Sequence, residues 1–287
     1  MINTCLIGDS RTKLKEIPDG SIQCCITSPP YWGLRDYGHD NQIGLEETPK
    51  KYIDNIVEVF REVRRVLADD GILWLNLGDS YSSSSNTVNN IKSKDLVGIP
   101  WSVAFALRED GWWLRQDIIW SKPNPMPESI TDRCTKAHEY LFMMTKSSTY
   151  YYDQESIKED AVHAGLMIKK SDPKTNKRAK KGKYGKTAMG FTKHDTLVGD
   201  KRIRRSVWSI AHKTYSGSHF AVMPAKLVEP CVLAGSRVGD TVLDPFFGSG
   251  TVGQVAERLG RNWIGVELNP AYLDLQSERT SQIGLGI

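Results

Sequence analysis

The sequence predicts an α/β protein with one mostly parallel sheet and helices on both faces of that sheet. Short β-branched runs alternate with amphipathic helical patterns in the first and the last third of the chain. The run 71–77 is apolar at almost every position, which is typical of a strand buried on both faces of a parallel sheet. Near the C-terminus, a glycine-rich turn joins a short apolar run to a helical pattern.

The first third of the chain has a β–α–β pattern. Its predicted elements are strands at 2–7, 22–27 and 71–77 and a helix at 52–67. The helix is predicted because apolar residues recur at steps of three and four, with Thr48 as its N-cap and Pro49 in its first turn.

The α/β pattern is interrupted and then returns. Residues 80–90 are rich in Ser and Asn and are predicted to form a mobile loop. The later predicted elements are helices at 100–108, 224–233 and 251–259, strands at 112–120, 138–145, 240–243 and 263–268, and a last helix that starts at Asn269-Pro270.

Composition excludes several classes of protein. Hydrophobic residues make up 39% of the 287 residues and charged residues 25%, which is ordinary for a globular chain and unlike a collagenous or disordered one. The apolar runs are too short for a membrane span and no signal peptide is recognisable, so a cytoplasmic protein is predicted. The five cysteines form no C-x-x-C pair, so neither a disulfide framework nor a metal site is indicated.

One segment is strongly basic. Residues 169–205 hold 14 Lys and Arg against three Asp, so the rest of the chain carries a net charge of −7 although the whole carries +4. Such a block predicts contact with a polyanion, for which nucleic acid is the usual candidate, while a solvated flexible insert is the alternative. The candidate phosphate-binding residues are Lys169, Lys170, Lys180, Lys181, Lys183, Arg202, Arg204 and Arg205.

The glycine-rich turn has the spacing of a nucleoside-binding loop. Gly248, Gly250 and Gly253 match G-x-G-x-x-G, and Glu267 ends the next predicted strand, where it can accept hydrogen bonds from ribose hydroxyls. Asp244 and Pro245 stand at the mouth of the turn, where a carboxylate repels a pyrophosphate but attracts an ammonium group. S-adenosylmethionine therefore fits better than a dinucleotide, although glycines required only for packing remain an alternative.

A second turn follows the strand at 22–27. In Ser28-Pro29-Pro30-Tyr31 the prolines stiffen the backbone and remove two N–H groups, which leaves hydroxyl and carbonyl acceptors beside an aromatic ring. Such a turn can accept both N–H bonds of an exocyclic amino group and aim its lone pair at a methyl donor, while Tyr31 stacks on the base. A stiff surface turn is the alternative.

The two turns, in this order and separated by a basic insert, resemble the beta-class, permuted amino-methyltransferases of DNA. The resemblance implies a Rossmann-like, seven-stranded methyltransferase sheet whose antiparallel hairpin is formed by the predicted strands 112–120 and 138–145. It also implies a catalytic part at 1–152, a target-recognition insert at 153–207 and a cofactor-binding part at 208–287, with S-adenosylmethionine as cofactor and double-stranded DNA as substrate.

The resemblance assigns roles to individual residues. Ser28, Pro29, Pro30 and Tyr31 match the catalytic motif, and Glu267 matches the ribose-binding acid. The cofactor loop is matched by Asp244, Pro245, Phe246, Gly248, Gly250 and Thr251. In looser matches, Asp9 reaches the adenine, residues 220–226 with Pro224 form the methionine pocket, and residues 120–124 lie at the rim of the active site.

Several alternatives stay open on the sequence. Transfer to cytosine N4 is favoured because N4 members commonly carry Ser-Pro-Pro-Tyr, with adenine N6 as the close alternative. An RNA methyltransferase, a nicotinamide-dependent oxidoreductase and a non-catalytic DNA-binding protein are remoter. Transfer to a ring carbon of cytosine would need a cysteine nucleophile, typically in a Pro-Cys pair, but the single Pro-Cys of this chain lies in a predicted helix rather than after a strand. Direct attack of the amino nitrogen on the methyl group, after base flipping, needs no cysteine. Neither a homodimer nor a cognate restriction endonuclease is decided by the sequence.

Overall fold

The computed structural model describes residues 2–39, 41–82, 91–168, 196–211 and 223–281, and it divides into two units. One unit comprises 1–156 and 205–287, and the other comprises 157–204. The strands are β1 (Thr4–Ile7), β2 (Ile22–Thr27), β3 (Leu67–Leu77), β4 (Trp113–Ser121), β5 (His138–Thr145), β6 (Glu159–Asp160), β7 (Met167–Ile168), β8 (Thr196–Leu197), β9 (Lys201–Arg202), β10 (Val207–Ser209), β11 (Thr241–Asp244) and β12 (Asn262–Glu267). The helices are α1 (Ser10–Lys13), α2 (Pro49–Val66), α3 (Ile99–Glu109), α4 (Ala225–Gly235), α5 (Thr251–Arg258) and α6 (Leu273–Ser281).

The larger unit is built on an eight-stranded sheet in the order β1-β12-β11-β2-β3-β5-β4-β10. Its strands run parallel except β5, which is antiparallel to both β3 and β4. The predicted α/β class and its antiparallel hairpin are therefore confirmed. The eighth strand, β10, adds to the seven expected: it pairs with β4 in parallel, and Trp120 Nε1 donates to the carbonyl of Ile210 at 2.8 Å just beyond it. A three-residue strand is too short to show a period in the sequence.

Helices cover both faces of the sheet, as expected. Leu73 and Leu75 belong to the core cluster formed with α2 and α3. Trp74 points the opposite way, so that a Cβ added to Gly235 in α4 would lie 3.0 Å from its indole nitrogen. Among the described residues, none of the helices combines the length and apolar character needed to cross a bilayer.

The junction between α2 and β3 differs from the prediction. Thr48 caps α2 as expected, since its hydroxyl accepts from the N–H of Lys51 at 3.2 Å. The helix ends at Val66, however, and β3 begins at the next residue instead of at Gly71. A register shift between Ile22 and Cys24 on β2 takes up the additional residues of β3.

The strand order produces a switch point at the centre of the sheet. β11 and β2 are neighbours, but the chain leaves β11 towards β12 on one side and leaves β2 towards β3 on the other. In open α/β sheets, ligands bind at the carboxyl ends of the strands beside such a point.

The smaller unit contains two short antiparallel pairs, β6 with β9 and β7 with β8. It falls within the compositionally unusual insert that the sequence analysis drew at 153–207. Ion pairs join its strands, since Lys201 Nζ lies 2.6 Å from Asp160 and Arg202 Nε 2.9 Å from Glu159.

Candidate active site

A cleft in the larger unit lies at the carboxyl edge of the sheet and is lined by both predicted turns. On one side its lining includes Ser28, Pro29, Pro30 and Tyr31. On the other side it includes Asp9, Asp244, Pro245, Phe246, Gly248, Thr251 and Glu267. The structure thus brings together all but two of the residues predicted for catalysis and cofactor binding; Gly250 and Pro224 are not among the described residues that line the cleft.

The glycines of the loop have different tasks. Gly248 adopts φ +51° and a Cβ placed there would meet only the Phe246 carbonyl, at 4.0 Å, so the backbone is open to the cleft. Gly250 adopts φ +82° as the N-cap of α5, a conformation that glycine reaches without steric cost. A Cβ on Gly253 would lie 2.7 Å from the ring of Phe247, so this third glycine makes room for core packing.

Glu267 is held by backbone donors. Its two carboxyl oxygens accept from the N–H of Gly248 at 2.7 Å and of Asn269 at 2.8 Å. Burial raises the pKa of this carboxyl group, and these backbone hydrogen bonds oppose the shift. Each oxygen retains acceptor capacity for a ligand hydroxyl.

Asp244 bridges the switch point. Its Oδ1 accepts from the Thr27 hydroxyl at 2.6 Å, which ties the end of β11 to the end of β2. It also accepts from the N–H of Phe246 at 3.0 Å. The side chain is only 4% exposed, and burial raises its pKa to about 7.

Asp9 follows β1 and caps α1. Its carboxylate accepts from the N–H of Arg11 at 2.8 Å and forms an ion pair with the Arg11 guanidinium at 2.5 Å. Burial by itself would raise the pKa of Asp9, but the hydrogen bonds and charge of Arg11 lower it. The neighbouring Ser10 hydroxyl donates to the Pro245 carbonyl at 2.5 Å, which joins this turn to the cofactor loop.

The Ser-Pro-Pro-Tyr turn is fixed from below. Tyr52 on α2 donates to the Pro30 carbonyl at 2.9 Å, whereas no described residue donates to the Pro29 carbonyl. A Cβ on Gly78 would lie 2.5 Å from the Tyr31 ring, so the glycine after β3 leaves space for that ring. The acceptors that the turn offers a ligand are therefore the Pro29 carbonyl and the Ser28 hydroxyl oxygen.

Three polar residues of the cleft form a cluster around the Tyr31 hydroxyl, to which the sequence analysis gave no individual roles although it placed 120–124 at the rim: Asn76, Lys122 and Glu139. Tyr31 donates to Glu139 Oε2 at 2.6 Å, Asn76 Nδ2 donates to the same oxygen at 3.1 Å, and Lys122 pairs with Glu139 Oε1. Because β5 is antiparallel, its amino end lies at the carboxyl edge of its neighbours, opposite Trp120 on β4. The sequence signal that could have identified Glu139 is an acidic residue near the start of the second predicted hairpin strand.

The cofactor side also includes a loop that the sequence analysis passed over. From this loop, the cleft is lined by Leu34, Tyr37, His39 and Ile43. Tyr272, in the turn before α6, lines the same cleft. Burial, followed by the charge of Glu267, raises the pKa of Tyr272 to about 12. The rings of Tyr37 and Tyr272 therefore line the same cleft as the buried Glu267 carboxylate.

The residues present fit an S-adenosylmethionine molecule. The Ser249 hydroxyl oxygen lines the cleft, is buried and has no hydrogen-bond partner among the described residues. Asp244 and Glu267 supply negative charge for a cationic ligand, and the aromatic rings supply apolar surface for a base. These features suit a molecule with a cationic end and a nucleoside end.

The predicted DNA-binding residues divide into two groups. Lys169, Lys170, Lys180, Lys181 and Lys183 lie outside the described residues, as do 220–222 of the predicted methionine pocket and 83–90 of the predicted loop. Arg202 pairs with Glu159, and Arg204 is the last residue of the smaller unit. Arg205 begins the return to the larger unit, where its carbonyl accepts from Trp208 Nε1 at 2.8 Å.

The chain is similar in sequence to known DNA methylases. The family model N6_N4_Mtase, described as DNA methylase, matches residues 22–278. Type II methyltransferase M.Cfr9I of Citrobacter freundii is 45% identical over 291 residues, covering 95% of this chain and 85% of the relative. Type II methyltransferase M.SmaI of Serratia marcescens is 46% identical over 293 residues, covering 96% and 89%.

Solved structures share the fold. The DNA modification methylase TTHA0409 of Thermus thermophilus, in complex with S-adenosyl-L-methionine, superposes with a TM-score of 0.64 at 27% identity, covering 99% of this chain and 96% of that one. The PvuII DNA methyltransferase, named as cytosine-N4-specific, superposes with a TM-score of 0.70 at 21% identity, covering 98% and 89%. At the latter identity the likeness shows the fold alone.

Proposed function

The chain belongs to the N6/N4 family of DNA methylases, and from this premise we propose that it methylates the exocyclic N4 of cytosine in duplex DNA. Its methyl donor is S-adenosylmethionine, the cofactor of the family. The observation that carries the proposal is that Ser28, Pro29 and Tyr31 line the cleft together while the Pro30 carbonyl is taken by Tyr52, which leaves Ser28 Oγ and the Pro29 carbonyl as the acceptors of the turn.

The residues that we assign to the cofactor lie on one side of the switch point. Glu267 accepts from the ribose hydroxyls, and Asp244 attracts the cationic end of the ligand. We assign Asp9 to the adenine, and Phe246 and Gly248 line the same cleft. S-adenosylmethionine, when bound there, supplies an electrophilic methyl group on a sulfonium.

The base-binding residues lie on the other side. A hydroxyl carries one proton, and Ser28 directs its proton towards Tyr31 at an O···O distance of 3.3 Å. The Ser28 lone pairs are then left to accept one N–H of an amino group while the Pro29 carbonyl accepts the other. Both contacts draw the amine lone pair out of conjugation with the ring and orient it for in-line attack.

The choice of cytosine rests on the residue that leads the turn. The turn begins with the neutral hydroxyl of Ser28. Among the beta-class amino-methyltransferases, N4 members commonly have Ser at this position, whereas N6 members commonly have a carboxylate. The amino group lies inside the duplex stack, so the base must be flipped out, at a cost of a few kcal/mol. Phosphate contacts from the basic residues 169–205 offset that cost.

The Type II relatives support a role in restriction–modification, in which the methylated base protects DNA from a cognate endonuclease. Their similarity extends over nearly the whole chain, including the segment that contains the basic insert. We therefore include duplex DNA, rather than RNA, in the proposal.

The experiment is transfer of labelled methyl from S-adenosylmethionine to unmethylated genomic DNA, followed by nucleoside digestion and mass spectrometry. N4-methylcytosine is the expected product. N6-methyladenine would keep the site and reverse the choice of base, and label in RNA but not in DNA would contradict the duplex substrate. The Ser28→Ala variant is the matched control, since it should bind the cofactor as wild type does and transfer no label.

A further inference from the structure

A chain of hydrogen bonds leads from the base-binding acceptor to an acid on the far side of Tyr31. Ser28 Oγ donates to the Tyr31 hydroxyl at 3.3 Å, and the Tyr31 hydroxyl donates to Glu139 Oε2 at 2.6 Å. The Tyr31 hydroxyl also lies 3.3 Å from Asn76 Oδ1, but the 2.6 Å contact is much the shorter. The single phenolic proton therefore points to the Glu139 carboxylate, and the phenolic oxygen is open to Ser28. Both hydroxyl protons therefore point along the chain away from the base.

Glu139 is an ion-pair partner of Lys122 and accepts a hydrogen bond from Asn76. Lys122 pairs with its Oε1, and Asn76 Nδ2 donates to its Oε2 at 3.1 Å and to the Tyr140 carbonyl at 3.0 Å. The Lys122 ammonium also lies 4.5 Å from the centre of the Trp120 ring, which restrains it near Glu139. Burial and the charge of Glu139 raise the pKa of Tyr31, so the phenol keeps a proton to pass on.

Methylation of an amine requires a proton acceptor. The amine lone pair forms the bond to the methyl carbon while the carbon–sulfur bond breaks and its electron pair stays on sulfur. The nitrogen then carries a positive charge, which it loses by releasing one of its N–H protons. The first polar atom on the path of that proton is Ser28 Oγ, which already accepts one of these N–H bonds in the proposed complex.

We propose that Glu139 takes the amino proton, relayed through Ser28 and Tyr31. The nitrogen passes its proton to Ser28 Oγ, Ser28 passes its own to the Tyr31 oxygen, and Tyr31 passes its own to Glu139 Oε2. Both hydroxyl groups are neutral before and after, while the nitrogen loses its positive charge and the carboxylate loses its negative charge. The Glu139 side chain is 14% exposed at the rim of the cleft, so it can release the proton to solvent.

The 3.3 Å contact between Ser28 and Tyr31 is the long step of the relay. O–H···O bonds commonly measure about 2.7–2.8 Å between oxygens. Catalytic hydrogen bonds are often long before substrate enters and shorten in the complex. A base that fills the cleft against Tyr31 would press the two hydroxyl groups together.

The inference rests on the proposed direct transfer to an exocyclic amine, and it holds for either base. Its test is the single-turnover rate of labelled methyl transfer to genomic DNA by wild type, Glu139→Gln, Tyr31→Phe and the double variant. Glu139→Gln keeps an acceptor for Tyr31 but is far less basic, so we expect a loss of roughly 100-fold, the lower end of the range for general acid–base catalysis. Binding of S-adenosylmethionine should stay unchanged, which shows that the variant is folded.

Coupling separates the relay from a structural role. If Glu139 acts through Tyr31, the double variant is no slower than Tyr31→Phe alone, because the path is already broken. Additive losses, or a Glu139→Gln rate within twofold of wild type, would overturn the proposal. Glu62→Gln is the matched control, since Glu62 is also a partly buried, ion-paired glutamate, 2.9 Å from Arg65 on α2, but lies outside the cleft lining.

Chemical rescue tests the proton acceptor directly. Glu139→Ala leaves a gap beside the Lys122 ammonium that formate can enter, so added formate should raise the rate of this variant and leave the rate of Tyr31→Phe unchanged. A Glu139→Ala rate that is indifferent to formate would overturn proton transfer to Glu139. If the wild-type protein transfers no label to DNA, the proposed function is wrong. If the wild-type protein transfers label but the Glu139 variants give the overturning results stated above, only the relay is wrong.

Discussion

Replacing Asp244 by Asn should stabilise the protein more at pH 8 than at pH 5. Asp244 is 4% exposed, and burial raises its pKa to about 7, with the negative charge of Glu267 adding to the shift. In the unfolded chain the same carboxyl has a pKa of about 3.9. Between these values the folded protein holds a proton that the unfolded chain has released, so the free energy of unfolding falls as the pH rises.

The magnitude follows from the shift. About three pKa units at 1.36 kcal/mol each give a cost of about 4 kcal/mol once the folded carboxyl is fully ionised. About 2–3 kcal/mol of this cost develops between pH 5 and pH 8. Asn cannot ionise, and its Oδ1 can still accept from Thr27 and from the N–H of Phe246. The gain of Asp244→Asn over wild type should therefore be larger at pH 8 by about 2–3 kcal/mol.

The assay is urea unfolding followed by tryptophan fluorescence at both pH values. Asp132→Asn is the control, because the hydrogen bond from Lys94 lowers the pKa of this exposed carboxyl, which is ionised at both pH values. Its effect should be the same at pH 5 and pH 8. An Asp244→Asn effect that is also independent of pH would refute the reasoning that burial holds a proton on Asp244.

The same charge should bind the cofactor. Ionised Asp244 attracts the cationic end of S-adenosylmethionine, so wild-type affinity should decrease as the pH falls below about 7. Asp244→Asn should bind more weakly at pH 8 and show little of this pH dependence in isothermal titration. A variant that is more stable and binds less well would show that the site retains a costly buried charge for function.

Three further predictions concern other parts of the site. Glu267→Gln should weaken S-adenosylmethionine binding roughly 10- to 100-fold, as expected for lost hydrogen bonds to a charged group, and an unchanged dissociation constant would argue against the ribose role. Gly78→Ala places a Cβ 2.5 Å from the Tyr31 ring, so turnover should fall while cofactor affinity stays the same; full turnover would mean that the ring position is unimportant. Replacing Lys180, Lys181 and Lys183 by Gln should reduce the salt dependence of DNA binding by roughly 0.9 per lost phosphate contact, and an unaltered slope would mean that these residues make none.

The sequence predicted those features that depend on neighbours a few residues apart. The helix α2, its Thr48 cap and the apolar strand within β3 follow from periodicity and capping chemistry. The two motif turns were found for the same reason, because prolines and glycines restrict or release the backbone locally. Their meeting in one cleft follows from placing both at the carboxyl ends of strands in one parallel sheet.

Only the tertiary structure decided which distant groups touch. Tyr31 and Glu139 are separated by 108 positions and Thr27 and Asp244 by 217, and no local pattern encodes either pair. Glu139 reaches the cleft because β5 runs antiparallel, which reverses the end of the strand that lies at this edge. Tyr52 donates a hydrogen bond to the Pro30 carbonyl because α2 packs against the turn. The Pro29 carbonyl is therefore left to accept from the ligand. Strand order, strand direction and helix packing are set by burial summed over the whole core, so the partners of each side chain emerge only when the chain is folded.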